Sequence, residues 1–170
     1  MKYYTVLAML CLLFISCDEE ENKQDKPPTI DWEQREAQLK ASDSLINGKS
    51  YLPIYSRIYH HKRNKTIGLT VTVSLRNVST MDTVYLLSAD LYDTSSGLGR
   101  GYIEKPVFLK PMETLEIIIE ETENDGGTGG NFVFEWASED INYPPLFEGV
   151  MISTLGQQGI SFTSRAIRVE

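Results

Sequence analysis

The sequence predicts an all-β protein: an antiparallel sandwich of two sheets, immunoglobulin-like in architecture, with about eight strands. Three observations predict it. From Ser50 onward apolar residues recur with a period of two, as on a half-buried strand. Turn residues interrupt that pattern at short intervals, at Ser95-Ser96-Gly97, Pro111, Asn142 to Pro145 and Gly156 to Gly159. Between these runs lies no stretch of helical period. A small closed β-barrel satisfies the same pattern and is the rival architecture.

The chain opens with MKYYTVLAMLCLLFIS, residues 1–16, in which the positive Lys2 precedes an uncharged apolar run from Val6 to Ile15. The run is shorter than the ~20 residues of a membrane-spanning helix and suits the core of a signal peptide. Leu13-Phe14-Ile15-Ser16-Cys17 resembles the lipobox of bacterial lipoproteins, in which a cysteine after a small residue receives a diacylglyceryl group and becomes the new N-terminus. Ser16 and Cys17 fit that pattern; Phe14 departs from the usual Leu or Val. The resemblance implies lipidation of Cys17 and a membrane reached through that lipid. It also implies a place in the cell envelope, on the periplasmic side of the outer membrane or at the cell surface. An ordinary cleaved signal or an N-terminal anchor is the alternative. The other cysteine, Cys11, lies inside the signal. A chain beginning at Cys17 therefore has no thiol for a disulfide and must rely on its core.

Asp18 to Pro28, DEEENKQDKPP, is charged and free of apolar residues, so it reads as a tether. Its acidic start resembles the export signal of some Bacteroidetes surface lipoproteins; plain linker chemistry explains it equally well. Thr29 to Leu45 is weakly helical, with Thr29 as cap and Asp31 and Glu33 near the positive end of the dipole. Asn47-Gly48 is the signal that ends it. The organisation expected is thus a lipoprotein signal over 1–16, then lipidated Cys17, acidic linker and short helix over 17–49, then the sandwich over 50–170.

Within the sandwich, Ile67, Leu69, Val71, Val73 and Leu75 fall on one face of a strand, opposite Thr70, Thr72 and Ser74. Leu115, Ile117 and Ile119 repeat the pattern against Glu116 and Glu120, and Phe132, Phe134 and Trp136 repeat it against Val133 and Glu135. Further strands are expected over Leu52 to Tyr59, Thr83 to Tyr92, Gly101 to Val107, Phe147 to Thr154 and Ile160 to Val169.

The stretch NDGGTGGNFVFEW, Asn124 to Trp136, holds four glycines just before a strand. A phosphate loop needs Lys and then Ser or Thr after its last glycine, opening a helix; here Asn131 and a strand follow Gly130. GGTGGNFVF approaches the calcium-binding nonapeptide, with Asn131 in place of Asp, but that repeat works by stacking many turns. The glycines are read as a bend, at least one of them with positive φ. Three words, IYSRIYH (Ile54 to His60), GGTGGNFVFEW (Gly126 to Trp136) and GQQGISFTSR (Gly156 to Arg165), together with Glu104-Lys105-Pro106, resemble a bacterial envelope family. It is known as the domain of unknown function numbered 3124. The likeness runs from about Ser50 to Val169. It implies a secreted or lipid-anchored domain and brings no activity, substrate or cofactor. Gly130 stands where the family pattern has Ala, which implies that a tiny residue is needed there.

Charge and residue types narrow the chemistry. With a net charge of −8, the chain is not expected to bind nucleic acid, whose recognition rests on Lys and Arg against phosphates. His60 and His61 are the two histidines, and on a strand they would face opposite ways; no zinc motif or other metal site is expected. Arg57 to Lys65, RIYHHKRNK, is a basic island that reads as a solvated hairpin turn. Its functional alternative is contact with phosphorylated lipid head groups or an acidic partner. Ser153, Ser161 and Ser164 lack a nucleophile elbow. Glu104, Glu135 and Glu148 show no spacing that brings two carboxylates together for glycoside hydrolysis. Ser161, Thr163 and Arg165 alternate against Ile160 and Phe162, so with Gln158 they form a polar face. The candidate binding surface is therefore Tyr59, His60, Asn131, Gln158, Ser161 and Arg165, with lipidation at Cys17, no catalytic residue and no cofactor. The function expected is a non-enzymatic binding or assembly module of the envelope, with an envelope protein or glycan as partner. An envelope enzyme acting on glycans, or a metal-binding domain, is the alternative.

Overall fold

The computed structural model describes residues 30–40, 43–123, 125–154 and 158–170; the signal, Cys17 and the acidic tether lie outside the described residues. Among the described residues, twelve strands form two antiparallel sheets and one separate hairpin. The first sheet contains β1 (Ile46–Ile54), β5 (Val84–Tyr92), β6 (Leu98–Gly101), β7 (Val107–Leu109), β9 (Gly130–Ser138) and β12 (Ile167–Arg168). Its order is β12-β1-β9-β5-β6, with β7 also on β5. The second sheet contains β4 (Thr70–Arg76), β8 (Thr114–Ile119), β10 (Leu146–Ser153) and β11 (Ile160–Arg165), in the order β11-β10-β4-β8. The hairpin is β2 (Arg57–His60) with β3 (Lys62–Gly68). The architecture is the expected all-β sandwich, and the sheets do not close into a barrel.

Alternation builds the core. Leu52 and Ile54, Phe132, Phe134 and Trp136, and Leu86 and Leu91 face inward from the first sheet; Val71, Val73 and Leu75, Ile117 and Ile119, and Phe147 and Met151 face them from the second. Phe134 and Phe147 stack across the layers with ring centroids 4.1 Å apart. In β5 the buried positions change phase between Leu86 and Ala89, because a bulge between Leu86 and Ser88 inserts one residue. That bulge is why VYLLSADLY does not alternate strictly.

Three expected strands are broken, each at an identifiable joint. The Leu52 to Tyr59 run ends at Ile54 because Ser56 is buried and tied down. Its N–H and hydroxyl both donate to the Gly127 carbonyl, at 3.1 and 3.2 Å, and its own carbonyl accepts the Leu69 N–H at 2.8 Å. The same joint interrupts the Ile67 to Leu75 run, so β3 and β4 belong to different sheets. The C-terminal run divides at Ala166: β11 pairs with β10, whereas β12 crosses over to β1. Between β6 and β7, residues 102–106 follow no ladder where a strand was expected.

The segment expected to be helical is not. Among its described residues the only helical turn is the 3-10 turn Glu33–Arg35, followed by a bridge from Glu36 to Val107. β1 begins at Ile46, so Asn47 and Gly48 sit in a strand and not in a turn. The reason is tertiary. Ile30 and Trp32 pack against the core, the Ala37 N–H donates to the Pro106 carbonyl at 2.7 Å, and Arg35 forks onto Glu113. A backbone paired in this way cannot also close helical turns.

Candidate binding surfaces

The glycine word is a joint between sheets. It carries the chain from β8 in one sheet to β9 in the other, not across a hairpin. Gly126 and Gly127 have φ of 83° and 67°, the left-handed region that glycine enters without penalty. The Gly126 carbonyl accepts the Thr94 hydroxyl at 3.2 Å and that of Gly127 accepts Ser56. A Cβ at Gly130 would stand 2.8 Å from the Gly126 Cα, so even alanine requires the backbone to shift. The close approach agrees with the expectation that a tiny residue is needed at that position. Asn131 is occupied inside the fold: its side-chain carbonyl accepts the Tyr51 hydroxyl and its amide donates to the Gly129 carbonyl at 3.1 Å.

The words that carried the resemblance meet at this end of the sandwich. Tyr55 meets Phe162 edge-on, and the Ser164 hydroxyl donates to the Pro53 carbonyl at 2.6 Å. Gly149 makes that crossing feasible, since a Cβ there would lie 2.8 Å from the Ser164 hydroxyl. Gly126 to Trp136, Ile54 to His60 and the described part of Gly156 to Arg165 are therefore linked by packing and hydrogen bonds. A family model described as "Protein of unknown function (DUF3124)" matches residues 47–169. The chain belongs to that family. No curated protein matches it. Among solved structures it is similar to one titled "Crystal Structure of Thermotoga maritima 1070". That match has 13% identity and a TM-score of 0.38, covering 71% of this chain and 92% of the other. So distant a likeness carries neither activity nor ligand across.

The remaining candidate residues separate into two groups. Gln158 and Ser161 are exposed at the start of β11, an edge strand, at the end of the sandwich where β2 leaves it. Arg165 is exposed at the other end of β11, opposite Glu148. Tyr59 and His60 lie on the hairpin, with Tyr59 64% exposed. His60 and His61 do not face opposite ways as expected. His61 has φ of 59°, which turns the chain, and the two rings lie with centroids 3.8 Å apart. Among the described residues no group of three or more His, Cys, Asp or Glu side chains is placed to share a metal ion.

One surface was not anticipated. The docked N-terminal segment and the link between β6 and β7 enclose an open groove of about 780 Å³. Trp32 and Tyr102 supply aromatic surface; Asp31, Glu33 and Glu104 supply carboxylates, and Glu36 is held by Lys105 at 2.8 Å. Burial raises the Tyr102 phenol above its ordinary pKa, although Arg100, stacked on its ring at 4.7 Å, opposes that shift. Contact with Glu36 raises the Lys105 ammonium, keeping it charged. The groove was illegible in sequence because Trp32 read as part of a sparse helix. The signal available was two aromatic residues, Trp32 and Tyr102, each followed closely by acids. Glu104 faces this groove, whereas Glu135 pairs with Lys49 on the first sheet and Glu148 with Arg76 on the second.

Proposed function

We propose that the protein is a cell-envelope lipoprotein, held to the membrane by a lipid on Cys17, and that it works as a binding or assembly module for an envelope protein or glycan. The observation that carries the binding role is the groove. It is concave, and it sets the aromatic surface of Trp32 and Tyr102 beside carboxylates and a lysine. Aromatic faces accept the apolar side of a sugar ring or a peptide side chain, and the flanking charges fix its orientation. The anchor reading is supported by the sequence alone, through the apolar run that ends at Ser16-Cys17. The three carboxylates weighed for glycoside hydrolysis, Glu104, Glu135 and Glu148, lie on separate surfaces and so do not form the pair that reading needs.

Two measurements test this reading. Cells fed a labelled fatty acid should incorporate it into the wild-type chain and not into Cys17→Ala; an unlabelled wild type overturns the anchor. Soluble oligosaccharides and peptides released from the envelope should saturably change the emission of Trp32 in a Trp136→Phe background and be recovered intact. New reducing ends or cleaved peptide would establish an enzyme instead, and an unchanged emission across all fractions would remove the groove as the binding site.

A further inference from the structure

The β2–β3 hairpin belongs to neither sheet and carries a charge opposite to that of the molecule. Arg57, Lys62, Arg63 and Lys65 lie on it, in a chain of net charge −8. Arg35, Lys49, Arg76, Arg100 and Lys105 each meet a carboxylate. Lys62, Arg63 and Lys65 are exposed, and among the described residues none of the three has an ion-pair partner. The hairpin is also two-faced. Ile58 pairs with Ile67 and packs against the core, while Tyr59 pairs with Thr66 on the opposite face and stands exposed. One face seats the hairpin; at its tip Tyr59, Lys62 and Arg63 line one shallow pocket, and Lys62, Arg63 and Lys65 meet no carboxylate among the described residues.

We propose that this hairpin docks the domain on an anionic lipid surface, with Lys62, Arg63 and Lys65 against headgroup phosphates and Tyr59 at the interface. The inference rests on the lipoprotein reading for the nearness of that surface. At most ~3.5 Å per residue, the chain from Cys17 to Ile30 reaches roughly 45 Å. A tether of that length makes docking intramolecular, so a weak local attraction is enough to orient the domain. Clustered basic residues with an amphipathic aromatic ring suit a headgroup layer, where the ring sits at the boundary and each cation gains from the surface potential. The acidic remainder of the molecule does not cancel this, because charges beyond ~8–10 Å are screened at physiological salt. Glu121, which abuts Gly68 at the base of the hairpin, is separated from Lys62 by roughly 20 Å of strand.

The test uses the mature chain with Cys17→Ser, so that lipid contributes nothing, and sedimentation with phosphatidylcholine vesicles made with or without phosphatidylglycerol. The wild-type domain should bind only the anionic vesicles, and added salt should release it. Replacing Lys62, Arg63 and Lys65 together by Gln should lower the partition coefficient about a hundredfold, from about one kcal/mol per cation near such a surface. The same change at Lys26, Lys40 and Lys110 alters net charge equally and should leave binding within a few-fold of wild type. Unchanged circular dichroism would show that both variants fold. Absence of wild-type binding, or equal losses in the two variants, overturns the proposal. Retention on soluble polyglutamate without vesicle binding also overturns it and points to an acidic protein partner. None of these outcomes depends on whether Cys17 carries lipid, which the fatty-acid labelling decides separately.

Discussion

The indole of Trp136 is fully buried, donates its N–H to the Ser50 hydroxyl at 3.0 Å, and lies against Gly48 so closely that a Cβ there would fall 2.2 Å from its ring. β1 and β9 pair at that point, Gly48 opposite Trp136, and the ring folds across its neighbour. Glycine is thus required at position 48 for space and not for backbone angle. Gly48→Ala should destabilise the fold by about 1–3 kcal/mol, the usual cost of overpacking a core. Trp136→Phe removes the part of the ring that collides, so Gly48→Ala should cost distinctly less in that background. Urea unfolding of the two single variants and the double variant, followed by circular dichroism, measures the coupling. Strictly additive losses would place the collision elsewhere.

At the scale of elements, the N-terminal segment is held by a clamp. Both terminal guanidinium nitrogens of Arg35 donate to the Glu113 carboxylate, at 3.0 and 2.8 Å, and the Lys110 N–H donates to the same group at 2.8 Å. The Arg35 hydrogen bonds hold the Glu113 carboxyl below its ordinary pKa; burial is the next effect and opposes them, and the Lys110 amide adds a further lowering. A carboxyl with a lowered folded pKa contributes stability above the unfolded value and loses it as pH falls through the folded one. Arg35→Gln should therefore weaken the docking of Trp32 at neutral pH by about 1 kcal/mol, as expected for a partly exposed bidentate pair. That difference from wild type should vanish as pH falls well below ~4, where Glu113 is protonated in both. Trp32 emission in a Trp136→Phe background reports the docking. A difference that persists at low pH would show that Arg35 acts through packing on Phe108, over whose ring it lies at 5.9 Å, and not through Glu113.

The whole molecule is held by one continuous core spanning both sheets, with the joints at Ser56, Gly126 to Gly130 and Ala166 carrying the chain between layers. Its two cysteines, Cys11 and Cys17, both lie outside the described fold. The melting temperature of the chain from Cys17 onward should therefore be the same with and without reductant. It should also be the same in calcium and in chelator, because the glycine word is spent on backbone geometry. A bound ion would instead add ~2.7 kcal/mol at a hundredfold excess over its Kd. A rise in melting temperature with calcium that Asn131→Ala abolishes would restore the metal loop.

The alternation at Phe132, Phe134 and Trp136, and at Val71, Val73 and Leu75, is a local property, since successive side chains of any strand point to opposite faces. The sequence by itself therefore determined the all-β class, the inward face of most strands, the need for positive φ among the glycines and the outward face of Ser161, Thr163 and Arg165. It also contained the ordered words by which the family is recognised. Only the tertiary structure decided what pairs with what. Ser56 splits two apparent strands because its partner Gly127 is remote in sequence, and Ala166 divides another because β11 pairs with β10 and β12 with β1, strands of different sheets. Trp32 and Arg35 leave their helical pattern because Pro106, Val107 and Glu113 offer better partners than the next turn. The groove exists only where that segment docks, and Asn131 is engaged by Tyr51 on the neighbouring strand. Contacts of this kind link residues far apart in the chain, and no local period records them.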